Sequence, residues 1–286
     1  MPDGIIIVDK PASWTSMDVC AKLRGIFREK RVGHAGTLDP MATGVLPVFI
    51  GKATKAVSFA EGGQKEYLAV LKLGLVTDTQ DITGNVLQRN RVEGGVDALR
   101  EILPRFQGEI EQLPPMYSAV KIQGKKLYEL ARKGQEVERK TRRIRVEKIE
   151  LVAQCAPDEF SLRIVCSKGT YVRTLCHDIG MALGCGGCMA QLRRTMAAGF
   201  TLAEAVSLEA VQDKGAELLL PLDEYFRDYP RFVIQNDWQA KRCQNGNPFC
   251  TEGIADGTYR GYGRDGAFLA LSTAKDGQLS AVKNFF

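Results

Sequence analysis

One carboxylate stands alone in the stretch V-G-H-A-G-T-L-D-P-M-A-T-G-V-L-P-V-F, Val32 to Phe49: between Gly33 and Ile50, Asp39 is the only formal charge. Gly33, Gly36, Gly44, Pro40 and Pro47 argue against a long helix or a regular central strand, while the apolar content is that of an interior. The stretch reads as a buried, shaped loop. A carboxylate there needs a cation or hydrogen-bond donors, because an isolated buried charge is costly enough to make the group protonate instead. On the residues alone Asp39 has two readings. It starts a turn before Pro40, accepting main-chain N–H bonds, or it is a catalytic carboxylate.

A partner is suggested far downstream. Gly169 and Thr170 are expected to open a helix whose apolar stripe is Val172, Leu175, Cys176 and Ile179, leaving Tyr171 and Arg173 in the first turn on another face. An arginine at that end opposes the helix dipole, so another group must hold it. Pairing with Asp39 would satisfy both and keep the acid ionised. A structural salt bridge and an active-site pair are compatible readings.

The elements that must position these groups follow from periodicity. Ile5 to Val8 reads as a short buried strand ending near Lys10 and Pro11, followed by a hydroxyl-capped helix carrying Val19, Cys20, Leu23, Ile26 and Phe27. Ala53 to Ala60 reads as a short helix, and Lys65 to Leu73 as a strand apolar on both faces that contains Tyr67. Thr77 to Gly84 is a tight polar turn with no chemistry assigned to it, and Val96 to Leu103 is helical. Arg143 to Val152 and Phe160 to Ser167 are strands. Taken singly, Tyr67 and Leu192 read as core, His34 as a satisfied core histidine, and Lys10 and Pro11 as a strand end.

The 286 residues suggest two domains, with a boundary near Asp223 to Pro230 and a glycine-rich β domain beyond it. The net charge of +5 is small, but between Lys121 and Lys148 eleven Lys or Arg face four Glu. Tyr117 and Tyr128 are interleaved with these cations, as on a surface that tracks phosphates and stacks bases. No leader or membrane span is evident, so a cytoplasmic protein is expected, and its eight scattered cysteines are expected to be reduced. Cys185-Gly186-Gly187-Cys188 lacks the second ligand pair that zinc would need. Gly261 to Gly266 fits a dinucleotide fingerprint only as letters and reads as a turn, and Gly51-Lys52-Ala53 lacks the rest of a phosphate loop.

Together these motifs resemble one family. G-H-A-G-T-L-D-P-x-A-T-G-V-L-P-V around Asp39, K-x-Y at Tyr67, G-T-Y-V-R-T-L-x-x-D-I-G at Arg173 and L-R-R-T from Leu192 are similar to the motifs of the TruB-type bacterial tRNA uridine-55 pseudouridine synthases. The opening Lys10-Pro11 segment resembles the family's first motif, with Ser13 where Gly is usual and Met17 where His is usual.

The resemblance implies an α+β fold: a mixed, largely antiparallel central sheet flanked by helices, with a small C-terminal PUA-like β domain. It implies a catalytic domain over 1–225 with a basic insertion at about 113–148, and an RNA-binding domain over 226–286. It implies that Asp39 is the nucleophile, Arg173 its partner, and Tyr67 a base contact and proton acceptor. His34, Tyr171, Leu192, Lys10 and Pro11 would bind the target nucleotide, and Lys121, Lys125, Lys126, Arg132, Arg142 and Arg143 would grip RNA. The expected partner is the T arm of tRNA, bound by a monomer with no obligatory protein partner, cofactor or metal. A tRNA-folding chaperone and the catalytic subunit of an RNA-guided synthase are the alternatives.

Overall fold

A computed structural model describes residues 2–122 and 124–286. Strand β1 (Gly4–Lys10) leads into α1 (Ser16–Phe27), where Thr15 and Asp18 form a capping box that satisfies the first free N–H groups. The chain returns through β2 (Val32–His34) and, after the Asp39 loop, β3 (Thr43–Ile50). A 3-10 turn over Gly51–Ala56 runs into the single turn α2 (Val57–Ala60), splitting the helix expected there. Then come β4 (Lys65–Leu73), the ribbon β5 (Leu75–Thr77) and β6 (Val86–Arg89), α3 (Gly95–Ile102) and β7 (Gly108–Gln112).

The basic insertion carries β8 (Lys121–Ile122), β9 (Lys125–Lys126) and α4 (Leu127–Ala131). Strands β10 (Arg142–Ala156) and β11 (Glu159–Cys166), helix α5 (Val172–Ala182), β12 (Gly187–Ala197), β13 (Phe200–Thr201) and α6 (Leu208–Lys214) complete the larger unit. A second unit holds β14 (Arg231–Val233), α7 (Asp237–Gln244), β15 (Phe249–Cys250), β16 (Gly257–Tyr262), β17 (Phe268–Lys275) and β18 (Gln278–Asn284).

The main sheet has nine strands in the order β1-β3-β12-β4-β11-β10-β7, with β2 added to β3 and β13 to β12. Every described pairing in it is antiparallel except β3 with β12. The α+β architecture expected from the sequence is therefore present, with a separate five-stranded C-terminal sheet ordered β14-β16-β17-β18-β15.

Four local expectations are corrected. Thr43–Ile50 is a regular interior strand although Pro47 lies within it. Proline is tolerated because β3 pairs with β2 at positions 48–50 and with β12 at positions 43 and 44, so position 47 falls in the gap between the two ladders. There only its carbonyl is used, accepting from Ala35 N at 2.9 Å. Strand β4 is not covered on both faces: Lys65, Tyr67, Ala69, Leu71 and Leu73 are buried, while Leu68 on the other face is 38% exposed. The helix expected from Gly169 starts at Val172, with Tyr171 as its N-cap. The dinucleotide-like letters split, Gly261 and Tyr262 ending β16 and Gly263 to Gly266 forming the turn.

All eight cysteines are free thiols, six of them buried. Among the described residues no group of three metal-ligating side chains gathers, and no helix is long and apolar enough to cross a membrane.

Candidate active site

Asp39 lies at the tip of the loop joining β2 to β3, and Arg173 in the first turn of α5. Their separation of 134 residues closes to an ion pair, Nε to Oδ2 at 2.9 Å and Nη2 to Oδ1 at 3.3 Å. The arginine side chain is 7% exposed and the aspartate 34%, so the acid faces an opening while its partner is enclosed. The remaining guanidinium donors are also used: Nη2 donates to Tyr117 O at 2.9 Å and Nη1 to Thr79 O at 3.2 Å, with the Asp81 carboxylate 3.8 Å away.

That second contact corrects the sequence reading of Thr77 to Gly84, which is more than a polar turn. Asp81 is buried and accepts from Thr79 Oγ1 at 2.9 Å, Thr83 N at 2.9 Å and Thr83 Oγ1 at 2.6 Å. The turn thus presents a fixed carboxylate and a carbonyl to Arg173 from the side opposite Asp39's loop. Tyr117, at the root of the basic insertion, closes the cradle.

Although a third of its side chain is exposed, Asp39 has lost most of its water. This desolvation raises its carboxyl above the ordinary value; Arg173 opposes the rise and Asp81 adds to it. The site balances a desolvated carboxylate against a cation it shares with Asp81.

Beneath the loop lies Lys10, with no exposed surface, whose Nζ donates to Trp14 O at 2.6 Å, Pro11 O at 2.8 Å and Pro40 O at 3.2 Å. Ser13 N adds a bond to the same Pro40 carbonyl at 2.8 Å. Lys10 thus holds the residue after Asp39, and Pro11 contributes a carbonyl to that cradle. Burial lowers the Lys10 ammonium to about 8, Asp39 countering this and Arg194 reinforcing it.

Tyr67 is 6% exposed and belongs to the same buried cluster as Leu38, Ala42, Val172 and Leu192, which gives the acid an apolar flank. Burial raises its phenol, and the positive charge of Arg194 opposes this. Leu192 sits on β12 directly across from Ala69 of β4, two residues from Tyr67. Tyr171 is locked by its main chain, N donating to Gln112 Oε1 at 2.8 Å and O accepting from Gln112 Nε2 at 3.1 Å. His34 ends β2 at the start of the loop; burial lowers its imidazole, and its buried Nδ1 has no partner among the described residues.

The structure joins Asp39 to Arg173 directly, brings Lys10 and Pro11 against the loop through Pro40, and gathers Tyr67 and Leu192 in one apolar cluster. Two contributors were not singled out from sequence. Asp81 was hidden in an ordinary turn pattern. Arg194, whose guanidinium is buried in the same loop, was read only as part of the L-R-R-T element.

Lys121, Lys125, Lys126 and Arg132 lie on the insertion, and Arg142 and Arg143 begin β10 beside it. None of the six is ion-paired among the described residues, whereas Arg139, Arg145 and Lys148 are paired with Glu136, Glu147 and Glu150. Tyr128 lies within cation–π range of Lys126 Nζ at 5.4 Å and the Arg132 guanidinium at 5.5 Å. Two cavities, of about 330 and 430 Å³, lie where the C-terminal sheet meets the main one, and neither includes Asp39.

Residues 24–172 match the family model of TruB family pseudouridylate synthase, N-terminal domain, and residues 173–227 that of the tRNA pseudouridylate synthase B C-terminal domain. A protein of Clostridium kluyveri named tRNA pseudouridine synthase B is 42% identical over 99% of this chain and 99% of its own. One of the same name from Azoarcus sp. is 46% identical over 82% of this chain and 79% of its own. Among solved structures, a chain from a Cbf5-Nop10-Gar1 complex superposes with a TM-score of 0.76 at 26% identity, covering 100% of this chain and 85% of that one.

Proposed function

Because the chain belongs to the TruB family of pseudouridylate synthases, we propose that it converts uridine to pseudouridine in tRNA, at position 55 of the T loop, with Asp39 as nucleophile. The observation that carries the residue assignment is the Asp39–Arg173 pair at 2.9 Å, enclosed on the arginine side and open on the acid side. The relatives' shared name supports tRNA as the substrate.

In this reaction the bond between uracil N1 and ribose C1′ breaks, the base rotates, C5 bonds to C1′, the C5 proton leaves, and the freed N1 takes up a proton. Reactant and product are isomers. The target uridine must leave its stack, at a cost of about a few kcal/mol offset by contacts in the site. Asp39 attacks as an anion, at the uracil ring or at the ribose carbon; either route requires the ionised form that Arg173 favours. Tyr67 stacks on the base and assists removal of the C5 proton, Tyr171 and Leu192 complete the pocket, and His34 helps displace the base. Lys10 and Pro11 act through the loop. Arg173 holds the charge and aim of the acid, and its bond to Tyr117 O ties that aim to the insertion that grips RNA.

Lys121, Lys125, Lys126, Arg132, Arg142 and Arg143 supply phosphate contacts along the T arm. We assign catalysis to residues 1–225 and a PUA-like RNA-binding role to the C-terminal sheet, and we read the protein as a cytoplasmic monomer that needs no protein partner or cofactor. Asp39→Asn is expected to bind tRNA yet release no tritium from 5-tritiated uridine substrate; retained turnover refutes the assignment. Activity of purified protein on unmodified tRNA without guide RNA separates this reading from an RNA-guided subunit. Binding and refolding of tRNA without isomerisation would instead point to a chaperone.

A further inference from the structure

Arg194 has no exposed surface and ranks among the bulkiest fully buried side chains. No carboxylate pairs with it among the described residues. Burying a guanidinium without an acid costs several kcal/mol unless its donors are met, and here they are met by main-chain carbonyls. Nε donates to Val45 O at 2.7 Å, Nη2 to Gly36 O at 3.1 Å and Nη1 to Thr37 O at 3.5 Å. Those carbonyls belong to the two ends of the loop that carries Asp39.

Why a side chain is needed there follows from β3. Between its ladders with β2 and β12, on the edge away from β1, the strand has no strand neighbour at positions 45–47, and Pro47 offers no N–H. Arg194 fills the gap by reaching Val45 O, so one planar group replaces missing ladder bonds and ties Val45 to Gly36 and Thr37. Gly44 makes the approach possible: with φ at 103°, a Cβ there would fall on the Arg194 main chain. Arg194 also lies opposite Tyr67 in the β12–β4 register, so its positive charge sits beside the buried phenol.

We propose that Arg194 is a positioning residue for the reaction assigned above: by joining both ends of the Asp39 loop from the strand position opposite Tyr67, its guanidinium sets the acid and the ring at a fixed separation on either side of the target base. This rests on the pseudouridylation reading. Arg194 touches no reacting atom; it acts through Asp39 and Tyr67.

The test is Arg194→Ala, assayed for single-turnover isomerisation, tRNA affinity and melting temperature, with and without added guanidinium chloride at low millimolar concentration. The rate is expected to fall about 100-fold with affinity held within about threefold, since a displacement near 1 Å costs that much in rate. Free guanidinium is expected to restore part of the rate without changing affinity. An unchanged rate overturns the proposal. So does a parallel loss of rate, affinity and melting temperature that guanidinium deepens, because a denaturant cannot rescue a fold defect. Should the alanine variant not fold, Arg194→Lys keeps the charge but cannot span three carbonyls. It should fold and bind while losing about tenfold or more in rate, and a wild-type rate would overturn the clamp. Failure of the unaltered protein to isomerise uridine would remove the functional reading, whereas an active protein indifferent to these substitutions would remove only this inference.

Discussion

Asp39 and Lys10 face each other as two groups pushed towards neutrality by the same walls. Desolvation raises the acid and lowers the base to about 8, and each opposes the other's shift. Activity that needs Asp39 ionised must rise with pH through a value above the ordinary carboxylate range. Loss of the Lys10 proton removes a donor from the Pro40 cradle and a cation from beside Asp39, so the rate should fall again above pH about 8. In Lys10→Met the alkaline limb measured by single-turnover rates should vanish at a lower plateau; an unaltered limb assigns it elsewhere. For stability the sign is opposite: a base whose folded pKa is depressed penalises the fold while charged, so Lys10's contribution improves as pH climbs from about 8 towards its ordinary value.

A smaller effect sits next door. Ser13 holds φ at 67°, a region that costs a residue with a side chain about 1–2 kcal/mol, while its N–H serves Pro40. Ser13→Gly is therefore expected to stabilise the protein by up to about 1 kcal/mol in urea melts, part of the gain being lost to glycine's freer unfolded chain. The Asp39–Arg173 pair was legible in the sequence because each member lacked a local partner. Asp81 and Arg194 were not, since a carboxylate in a Thr-rich turn looks satisfied and a buried guanidinium fed by carbonyls leaves no pattern in the letters.

At the level of elements, the site depends on how closely α5 approaches β12. Gly180 in α5 leaves no room for a side chain: a Cβ would fall on the main chain of Gly186 and Gly187 where β12 begins. Gly186 N donates to Gly180 O at 2.8 Å, fixing the helix about two turns beyond Arg173. Gly180→Ala should cost about 1–3 kcal/mol as an overpacking defect. It should also tilt α5 so that Arg173 leaves Asp39, cutting the isomerisation rate by more than it weakens tRNA binding. Equal losses in both would show that the helix position matters only to folding.

The spans of β4, α3 and β11 were readable from periodicity. The covering of β4 and the strand nature of β3 were not, because proline and glycine signal a loop unless the gap between two neighbouring ladders is known. The L-R-R-T segment likewise hides that its second arginine points inward: Leu192 and Arg194 share a buried face in unbroken register opposite Ala69 and Tyr67, but an arginine reads as exposed by default.

On the scale of the whole molecule, the composition shift near Asp223 to Pro230 marks a change of sheet but not a break in the core. Phe226, 2% exposed, packs edge-on against Phe59 at 5.7 Å on one side and against Phe268 and Phe285 at 6.0 and 5.6 Å on the other. Phe268 and Phe285 stack at 5.3 Å, and Tyr262 Oη reaches across to Asp223 Oδ2 at 2.6 Å. One apolar cluster thus contains Ile5, Ile7, Val45 and Phe49 of the main sheet together with Leu271 and Phe285 of the C-terminal one. Since β1 and β3 feed that cluster with one face and support the Asp39 loop at their ends, the C-terminal sheet is mechanically continuous with the site. The two sheets should melt in a single calorimetric transition. Phe226→Ala, which removes the ring that touches both sides, should cost about 3–5 kcal/mol. It should also lower the isomerisation rate at temperatures where Phe286→Ala, 41% exposed at the chain's end, leaves it unchanged. Two separate transitions in the unaltered protein, with the larger one insensitive to Phe226→Ala, would show that the sheets are merely tethered and that the catalytic loop is braced by the main sheet alone.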